Sequence, residues 1–450
     1  MGRIASKFGG TSVASAAQLR KVRQIVQSDP QRRIIVPSAP GKRTSDEPKI
    51  TDLLYLCHEM AVMRTDFAAP FATVRQRFVE IEAELGLSTR VGEELERFEE
   101  ALKQGCSRDH AASRGEYLNG LLLAAMLDAD FVDPIDYVRI AANGSVHPST
   151  YELLGERLAD PSRLYVMPGF YGSDLHGQLK TFSRGGSDIS GAIAARAAGA
   201  VLYENWTDVS GLLMADPRIV KNPSPMIEVT YREIRELSYM GAAVFHDEAI
   251  IPVREVGIPI CIKNTNDPDA PGTTIVTKLS PEVDKNTEIA GIAGKRGFSM
   301  ICLDKSLMNK EVGFAYRLLG VFERRNMNVE HCPSSIDGIN VILDAAQLDE
   351  QADSVLDEIQ HLLKPDRMEI VRDLALIAVV GEGMARSVGI AAKVFTALRD
   401  ARVNVRVINQ GASELNIIVG VAPEDFERAI AALYAAFVRS ARHSDPPAAS

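Results

Sequence analysis

The stretch Lys7-Phe8-Gly9-Gly10-Thr11-Ser12-Val13 follows a short apolar run and precedes a periodic helical pattern. Paired glycines between a strand and a helix let backbone N–H groups approach a phosphate closely, and the helix N-terminus adds the positive end of its dipole. Lys7, at the end of the strand, is suited to place a positive charge on phosphate oxygens. Because the lysine precedes the glycines, the stretch is not a Walker-type loop. The alternative interpretation is an ordinary Gly-rich turn with a surface lysine.

Strand and helix signals alternate around this stretch, which predicts an α/β domain with a largely parallel sheet. A long helical region covers about Asp52 to Leu127 and is broken near Pro70, Gly86 and Gly105. The loop from Pro268 to Thr274 is predicted to end the domain. The segments predicted as strands are 4–8, 33–36, 131–132, 164–167, 200–204 and 258–262.

A second Gly-Gly turn occurs in Phe182-Ser183-Arg184-Gly185-Gly186-Ser187-Asp188, again at the start of a helical pattern. Arg184 is suited to bind a carboxylate in a bidentate manner through its guanidinium group. Asp188 falls in the first helical turn, where a carboxylate also compensates the helix dipole. An N-terminal cap formed by Ser187 or Asp188 is therefore the alternative interpretation.

A third segment, Asn205-Trp206-Thr207-Asp208-Val209-Ser210-Gly211, follows a predicted strand. Loops at such positions bind ligands in open α/β sheets. Arg218, which follows Asp216-Pro217, is suited to contact phosphates, although Asp-Pro is also a common turn signal.

The pattern changes from about Ile289, where the chain passes twice through strand, helix, strand, strand and helix. The two passes share related stretches, Arg-Arg-Asn-Met-Asn-Val-Glu at 324–330 and Asp-Ala-Arg-Val-Asn-Val-Arg at 400–406. They predict a two-copy repeat of a ferredoxin-like α+β unit. The predicted domains are 1–285, 289–370 and 371–438, with a disordered tail at 439–450. The predicted strands are 298–303, 328–331, 339–343, 374–380, 404–408 and 415–419, and the predicted helices are 313–325, 349–362, 388–399 and 425–437.

Composition narrows the class of protein. The formal net charge of the 450 residues is -10, which argues against a broad nucleic-acid-binding surface. The five cysteines are scattered, which argues against a disulfide framework and a structural zinc site. No apolar run approaches the ~18 residues of a membrane-spanning helix, and the N-terminus shows no signal-peptide pattern. We therefore expect a cytoplasmic protein that binds neither nucleic acid nor membrane.

The three Gly-rich and Asp-containing segments resemble, in the same order, the signatures of the aspartokinase family: Lys-Phe-Gly-Gly-Thr-Ser, Arg-Gly-Gly-Ser-Asp, and Thr-Asp-Val-x-Gly followed by Asp-Pro-Arg. The C-terminal units look like that family's amino-acid-sensing ACT domains, and the resemblance covers about residues 3–438. It implies a three-layer amino-acid-kinase domain with a mainly parallel sheet and two ferredoxin-like, ACT-type regulatory units. It also implies transfer of the γ-phosphoryl group of ATP to the β-carboxylate of L-aspartate, the first step of lysine, threonine and methionine biosynthesis. Mg²⁺ would be carried by ATP, with no metal ligand from the protein.

The resemblance also implies roles for individual residues. Lys7 and Asp188 would form the catalytic pair at the transferring phosphoryl group. Glu116 would take the substrate ammonium and Arg184 its α-carboxylate. The other substrate-side residues would be Ser38, Thr51, Asp52 and Ser187, and the nucleotide-side residues would be Lys7, Gly9, Gly10, Thr207, Asp208 and Arg218. Family members often carry a tyrosine at the position of Leu213 and a lysine at that of Ala243, so no nucleotide contacts are predicted there.

The paired ACT-like units imply feedback inhibition by an amino acid, with lysine as the expected effector, in a homodimer or larger assembly. The implied effector contacts are Met308, Gly313, Asn328 and Glu330. The Glu330 carboxylate is suited to a lysine ε-ammonium, and a solvated strand residue is the alternative. Two other functions stay open: another carboxylate kinase of the amino-acid kinase family, and a catalytically weak amino-acid sensor.

Overall fold

The computed structural model of this protein describes residues 2–183, 185–242 and 247–441. These residues form two compact units, each described here by itself. The first unit holds 2–212, 225–231 and 247–279, and the second holds 213–224, 232–242 and 280–441. Within the described ranges, no helix is both long enough and apolar enough to cross a bilayer.

The secondary structure alternates through the first unit and repeats in the second. The strands are Ile4–Phe8 (β1), Arg32–Pro37 (β2), Asp130–Phe131 (β3), Tyr165–Val166 (β4), Tyr171–Ser173 (β5), Leu179–Thr181 (β6), Leu202–Thr207 (β7), Glu228–Thr230 (β8), Ile260–Asn264 (β9), Thr273–Val276 (β10), Gly291–Asp304 (β11), Val329–His331 (β12), Gly338–Asp344 (β13), Arg367–Val380 (β14), Val407–Asn409 (β15) and Asn416–Val421 (β16). The α-helices are Ala16–Ser28 (α1), Ile50–Val62 (α2), Ala68–Leu85 (α3), Val91–Lys103 (α4), Arg108–Leu127 (α5), Pro134–Tyr137 (α6), Ser149–Arg157 (α7), Gly186–Ala197 (α8), Tyr231–Tyr239 (α9), Ile251–Arg254 (α10), Pro281–Asn286 (α11), Phe314–Glu323 (α12), Ala345–Asp349 (α13), Ala352–Leu363 (α14), Ile390–Asp400 (α15) and Phe426–Ala441 (α16).

The first unit is built on an eight-stranded sheet in the order β3-β4-β2-β1-β7-β9-β10-β8. All neighbouring strands are parallel except β9 and β10. Every residue of β1 is buried, as expected for a parallel strand covered on both faces. The predicted mainly parallel sheet is therefore confirmed. The loop from Pro268 was predicted to follow the last strand of the domain, and this is wrong, because it leads into β10, which adds a further strand to the sheet.

Helices cover both faces of this sheet. Phe8 and Trp206 are paired in register on β1 and β7, and their stacked rings belong to one core with residues of α1 to α5. Since successive strand side chains point to opposite faces, Tyr203 lies on the other face. There α8 packs, and a Cβ atom on Gly191 would lie 2.5 Å from the Tyr203 hydroxyl. The first unit is a three-layer sandwich, as the family resemblance implied.

The second unit is built on a six-stranded antiparallel sheet in the order β12-β13-β11-β14-β16-β15. The long strands β11 and β14 run side by side, and their register shifts near Phe298. One half of this pair continues into β13 and β12, and the other half continues into β16 and β15. The two repeats thus share their central strands, and β14 spans the predicted boundary between residues 370 and 371.

The predicted two-copy repeat is visible in the backbone. Gly313 and Gly389 precede α12 and α15 with φ angles of 80° and 92°, and Asn326 and Arg402 follow these helices with φ angles of 54° and 56°. Left-handed residues of this kind end helices by turning the chain sharply. Each repeat has its own apolar core, one around Leu318 and the other around Val419.

Two boundaries at the C-terminal end differ from the prediction. The second edge strand is Val407–Asn409 instead of 404–408. Helix α16 continues through Ala441, so the first residues of the predicted tail are helical. The rest of that tail, residues 442–450, lies outside the described residues.

Candidate active site

Lys7 lies in a polar triangle at the carboxyl end of the parallel strands. Lys7 on β1 is directly opposite Asn205 on the neighbouring strand β7. Its Nζ lies 2.6 Å from Oδ1 of Asp188 and 3.3 Å from Oδ1 of Asn205. The Asn205 amide in turn donates to Asp188 Oδ1 at 3.0 Å. Lys7 is only 7% exposed, so the alternative of a surface lysine is wrong.

The Asp188 carboxylate reaches this triangle from the first turn of α8. The residue that caps α8 is Gly185, with a φ of 58° and no side-chain hydrogen bond. An N-terminal cap by Ser187 or Asp188 is therefore ruled out. Ser187 is half-buried and packs against Gly169, where a Cβ atom would lie 2.8 Å from the serine Oγ. Arg184 lies outside the described residues.

The first Gly-Gly turn follows β1 and is held against β7. The Gly9 N–H donates to the Trp206 carbonyl at 2.9 Å. The chain then forms a short 3-10 helix at Gly10–Val13, and α1 begins only at Ala16. A Cβ atom on Gly9 would lie 3.5 Å from the Lys7 Nζ, so the glycine leaves the space beside the ammonium open.

Glu116 is a carboxyl group buried inside the first unit. It lies on α5, where Gly115 lets the helix approach Ala39 so closely that a Cβ atom would be 2.8 Å from the alanine Cβ. The Ala39 N–H donates to the carboxyl group, but burial outweighs this bond and raises the pKa of Glu116 to about 8. Its Oε2 has no hydrogen-bond partner among the described residues. A buried acceptor without a donor is costly, which indicates a place for a ligand's donor group.

The remaining substrate-side residues lie on the chain between β2 and α2. The Ser38 N–H donates to the Phe8 carbonyl at 3.0 Å, and its own carbonyl accepts the Asn119 amide at 2.7 Å. Thr51 is half-buried and Asp52 is exposed, both in the first turn of α2. The structure thus holds Ser38 against the Gly-rich loop, whereas Asp52 makes no described contact of this kind.

The nucleotide-side residues fall into two groups. Thr207 ends β7, two residues after Asn205, and its hydroxyl donates to the exposed Asp208 carboxylate at 3.1 Å. Arg218 belongs to the second unit. Its side chain is 87% exposed and lies 2.6 Å from Asp216, which lowers the pKa of that carboxyl group. Ala243 lies outside the described residues.

One site residue was missed by the sequence reasoning. Asn205 was quoted within a motif but was given no role, although it contacts both Lys7 and Asp188. A signal was present, since two polar residues interrupt the strand Leu202–Thr207. Its other polar residue, Glu204, has a structural role because it accepts Trp206 Nε1 and a two-pronged Arg32 contact.

Comparison with known proteins identifies the family. Residues 2–264 match the amino acid kinase family and residues 377–437 match an ACT domain. Aspartokinase 3 of Bacillus subtilis is 41% identical over 447 residues, which cover 96% of this chain and 98% of the relative. This chain belongs to the aspartokinases. It is an aspartate kinase with a C-terminal ACT region.

Solved aspartokinase structures agree with the fold of the whole chain. The aspartate kinase of Clostridium acetobutylicum has a TM-score of 0.89 and 46% identity, covering 97% of this chain and all 100% of that one. Escherichia coli aspartokinase III, solved with aspartate and ADP, has a TM-score of 0.72 and 28% identity over 97% of this chain and 100% of that one. The same enzyme solved with lysine and aspartate has a TM-score of 0.71 and 27% identity over 97% and 99%.

The regulatory residues named from the aspartokinase resemblance lie in the first repeat. Met308 is buried in its apolar core, and Gly313 is the N-cap of α12. The Asn328 N–H donates to Gln347 Oε1 at 3.1 Å. Glu330, half-buried on the edge strand β12, accepts the hydroxyl of Tyr239 from α9. Glu330 is therefore not a freely solvated strand residue.

Proposed function

We propose that this aspartokinase transfers the γ-phosphoryl group of MgATP to the β-carboxylate of L-aspartate through a site centred on Lys7. A bond forms between a carboxylate oxygen and the γ-phosphorus, the bond from the γ-phosphorus to its bridging oxygen breaks, and ADP leaves with 4-phospho-L-aspartate. The observation that carries the proposal is the buried Lys7 ammonium between Asp188 and Asn205 at the carboxyl ends of β1 and β7. Ligands of open α/β sheets bind at this edge.

The chemistry requires charge compensation instead of a general base. The aspartate side chain has a reference pKa of about 3.9 and is already an ionised nucleophile at neutral pH. The main barrier is repulsion between that carboxylate and the phosphate oxygens. Lys7 offsets the charge that develops on the transferring group, and Asp188 and Asn205 hold the ammonium in one position. The Gly10 backbone N–H would add a further donor, whereas the Gly9 N–H is already bound to the Trp206 carbonyl.

Substrate selection rests on Glu116 and Arg184. We propose that the substrate ammonium binds Glu116, which supplies the missing donor for its buried Oε2. Arg184 would hold the α-carboxylate, with Ser38, Thr51, Asp52 and Ser187 on the same side. A peptide lacks one or both of these terminal charges, so the pair selects a free amino acid.

We propose that the nucleotide contacts Gly9, Gly10, Thr207 and Asp208 of the first unit, in line with the ADP in the E. coli aspartokinase III structure. The nucleotide contact of Arg218 stays a prediction of the family resemblance. Among the described residues, no three His, Cys, Asp or Glu side chains lie close enough to hold one metal ion. We propose that Mg²⁺ arrives on the nucleotide, where it neutralises phosphate charge. Lys7 then supplies the cationic contact that the protein itself contributes.

A coupled assay tests this proposal. ADP formation is measured with MgATP and, separately, aspartate, glutamate or acetylglutamate. Turnover with aspartate, and not with glutamate or acetylglutamate, supports the proposal. Faster turnover of another acceptor would assign the chain to a different carboxylate kinase, and no turnover with any acceptor would favour a catalytically weak amino-acid sensor.

We further propose that lysine is a feedback inhibitor and that its ε-ammonium binds Glu330 in the first of the two predicted ACT-like domains, in a homodimer or larger assembly. The lysine-bound E. coli aspartokinase III structure supports the choice of effector. Met308, Gly313 and Asn328 are the other proposed contacts. The Tyr239 hydroxyl, which donates to Glu330 Oε2, would compete with lysine for this carboxylate. Lysine and threonine are titrated separately and together against wild type and Glu330→Ala, and lysine inhibition that persists unchanged in the variant would exclude Glu330 as the ligand.

A further inference from the structure

The chain between β2 and α2 joins two parts of the active site. The Ala39 N–H donates to the Glu116 carboxyl group. Two residues later, the Gly41 N–H donates to the Gly10 carbonyl at 2.9 Å. We call the turn Gly9-Gly10-Thr11 the phosphate loop. We call residues 38–49 the bridging loop, because one end of it contacts both the proposed ammonium site and the phosphate loop.

Gly41 packs against the phosphate loop without space for a side chain. A Cβ atom on Gly41 would lie 2.6 Å from the Gly10 carbonyl carbon and 2.9 Å from the Thr11 nitrogen. Both of those neighbours are backbone atoms, which cannot turn away as a side-chain end can. The position of Gly41 therefore sets the position of the Gly10 peptide group.

Arg77 of α3 hydrogen-bonds to the bridging loop at two points. Its side chain is 5% exposed, and its Nη1 donates to the Gly41 carbonyl at 3.0 Å. Its Nη2 donates to Glu47 Oε2, farther along the loop, at 2.7 Å. The planar guanidinium thus ties two points of the loop to one helix, which a flexible ammonium does less well.

Glu47 also has a second, more exposed partner. Arg43 reaches Glu47 Oε1 with its Nη2 at 2.7 Å, and its side chain is 40% exposed. The Arg43 Nε also donates to Glu47 Oε1 at 2.9 Å, and its Nη1 donates to Glu80 at 3.1 Å. Among the described residues, the Arg43 guanidinium makes no hydrogen bond to Gly41. Arg43 shares the acidic partner of Arg77 but not the link to the phosphate loop, which makes it a matched control.

We propose that Arg77 is a positioning residue for phosphoryl transfer, acting through Gly41 to hold the Gly10 peptide group and the Ala39 N–H in their reactive positions. The proposal rests on the assignment of the phosphate loop and Glu116 in the proposed function. Arg77 touches neither reactant. Loss of the Arg77 side chain would let both the Gly10 peptide group and the Ala39 N–H move from these positions.

The test compares Arg77→Met, Arg43→Met and Gly41→Ala in the coupled assay. Arg77→Met removes the fork but keeps an apolar side chain of moderate length. We expect it to lower kcat/KM for aspartate and for ATP by about tenfold or more, on the scale of tenfold per 1.36 kcal/mol. Gly41→Ala is expected to act in the same direction, and Arg43→Met to stay within about twofold of wild type.

A second readout separates positioning from simple instability. The Ala39 N–H stabilises the ionised form of Glu116, so a weaker bond raises the pKa of Glu116. In Arg77→Met, the apparent pKa obtained from the dependence of the aspartate KM on pH should therefore be higher than in wild type. Arg77→Lys, which keeps the charge, should recover part of the loss. Normal kinetics and an unshifted midpoint in a folded Arg77→Met would overturn the proposal, as would equal defects in Arg43→Met.

If Arg77→Met does not fold, Gly41→Ala tests whether the contact between Gly41 and Gly10 affects catalysis. Wild-type kinetics in Gly41→Ala would then refute that link. Wild-type turnover of aspartate tests the proposed function independently of every variant. If wild type acts on another acceptor, the same variant-to-wild-type ratios are measured with that acceptor.

Discussion

The pH dependence of aspartate binding follows from the burial of Glu116. Burial raises the pKa of this carboxyl group to about 8 in the free enzyme, whereas an ammonium ligand requires its ionised form. Below that pKa the ionised fraction falls about tenfold for each pH unit. We therefore expect the aspartate KM to rise about fiftyfold between about pH 8 and about pH 6. kcat should change little, since the bound ammonium keeps Glu116 ionised in the complex.

The assay measures initial rates over a range of aspartate concentrations at saturating MgATP and constant ionic strength. His110, on the same helix, has a pKa lowered by burial to about 4 and does not titrate in this window. Glu116→Gln is the matched variant, because it keeps the shape and removes the titrating group. Its aspartate KM should be high and nearly constant with pH. A flat wild-type KM, or the same slope in Glu116→Gln, would refute the role of Glu116.

Four further outcomes are expected. Lys7→Ala should keep the fold and lose about three orders of magnitude in kcat, and a retained activity above about a tenth would exclude its catalytic role. Asn205→Ala should lower kcat about tenfold with little change in either KM, because it only steadies Lys7, so a change in the aspartate KM alone would contradict that role. Tyr239→Phe should tighten lysine inhibition, since lysine no longer competes with the hydroxyl for Glu330, and weaker inhibition would contradict the competition. Glu204→Gln should lower the melting temperature by about 5 °C or more in calorimetry, because the Arg32 side chain, 10% exposed, loses its charged partner, and an unchanged value would show that the ion pair adds nothing.

The fold class could be predicted because its signals are local. The buried strand Ile4–Phe8, the Gly9-Gly10 turn and the helix after it lie within a few residues of one another. The C-terminal repeat was recognisable for a similar reason, since each copy carries its own helix ends and its own apolar core. The predicted edge strand 404–408 was misplaced because a short strand is defined by its pairing with a neighbour, not by its own pattern.

Residue patterns alone predicted a largely parallel α/β sheet, a two-copy α+β repeat, and Lys7 and Asp188 at Gly-rich turns, because spacing and residue type over a short window specify each of these. The three-layer kinase architecture and the ACT identity followed from the resemblance to the aspartokinases. Which side chains lie in contact became clear from the three-dimensional packing. The pairing of β1 with β7 puts Asn205 beside Lys7, and the packing of α3 puts Arg77 on Gly41. Such contacts join positions 36 to 198 residues apart, and they depend on strand register and helix packing, which no local pattern specifies.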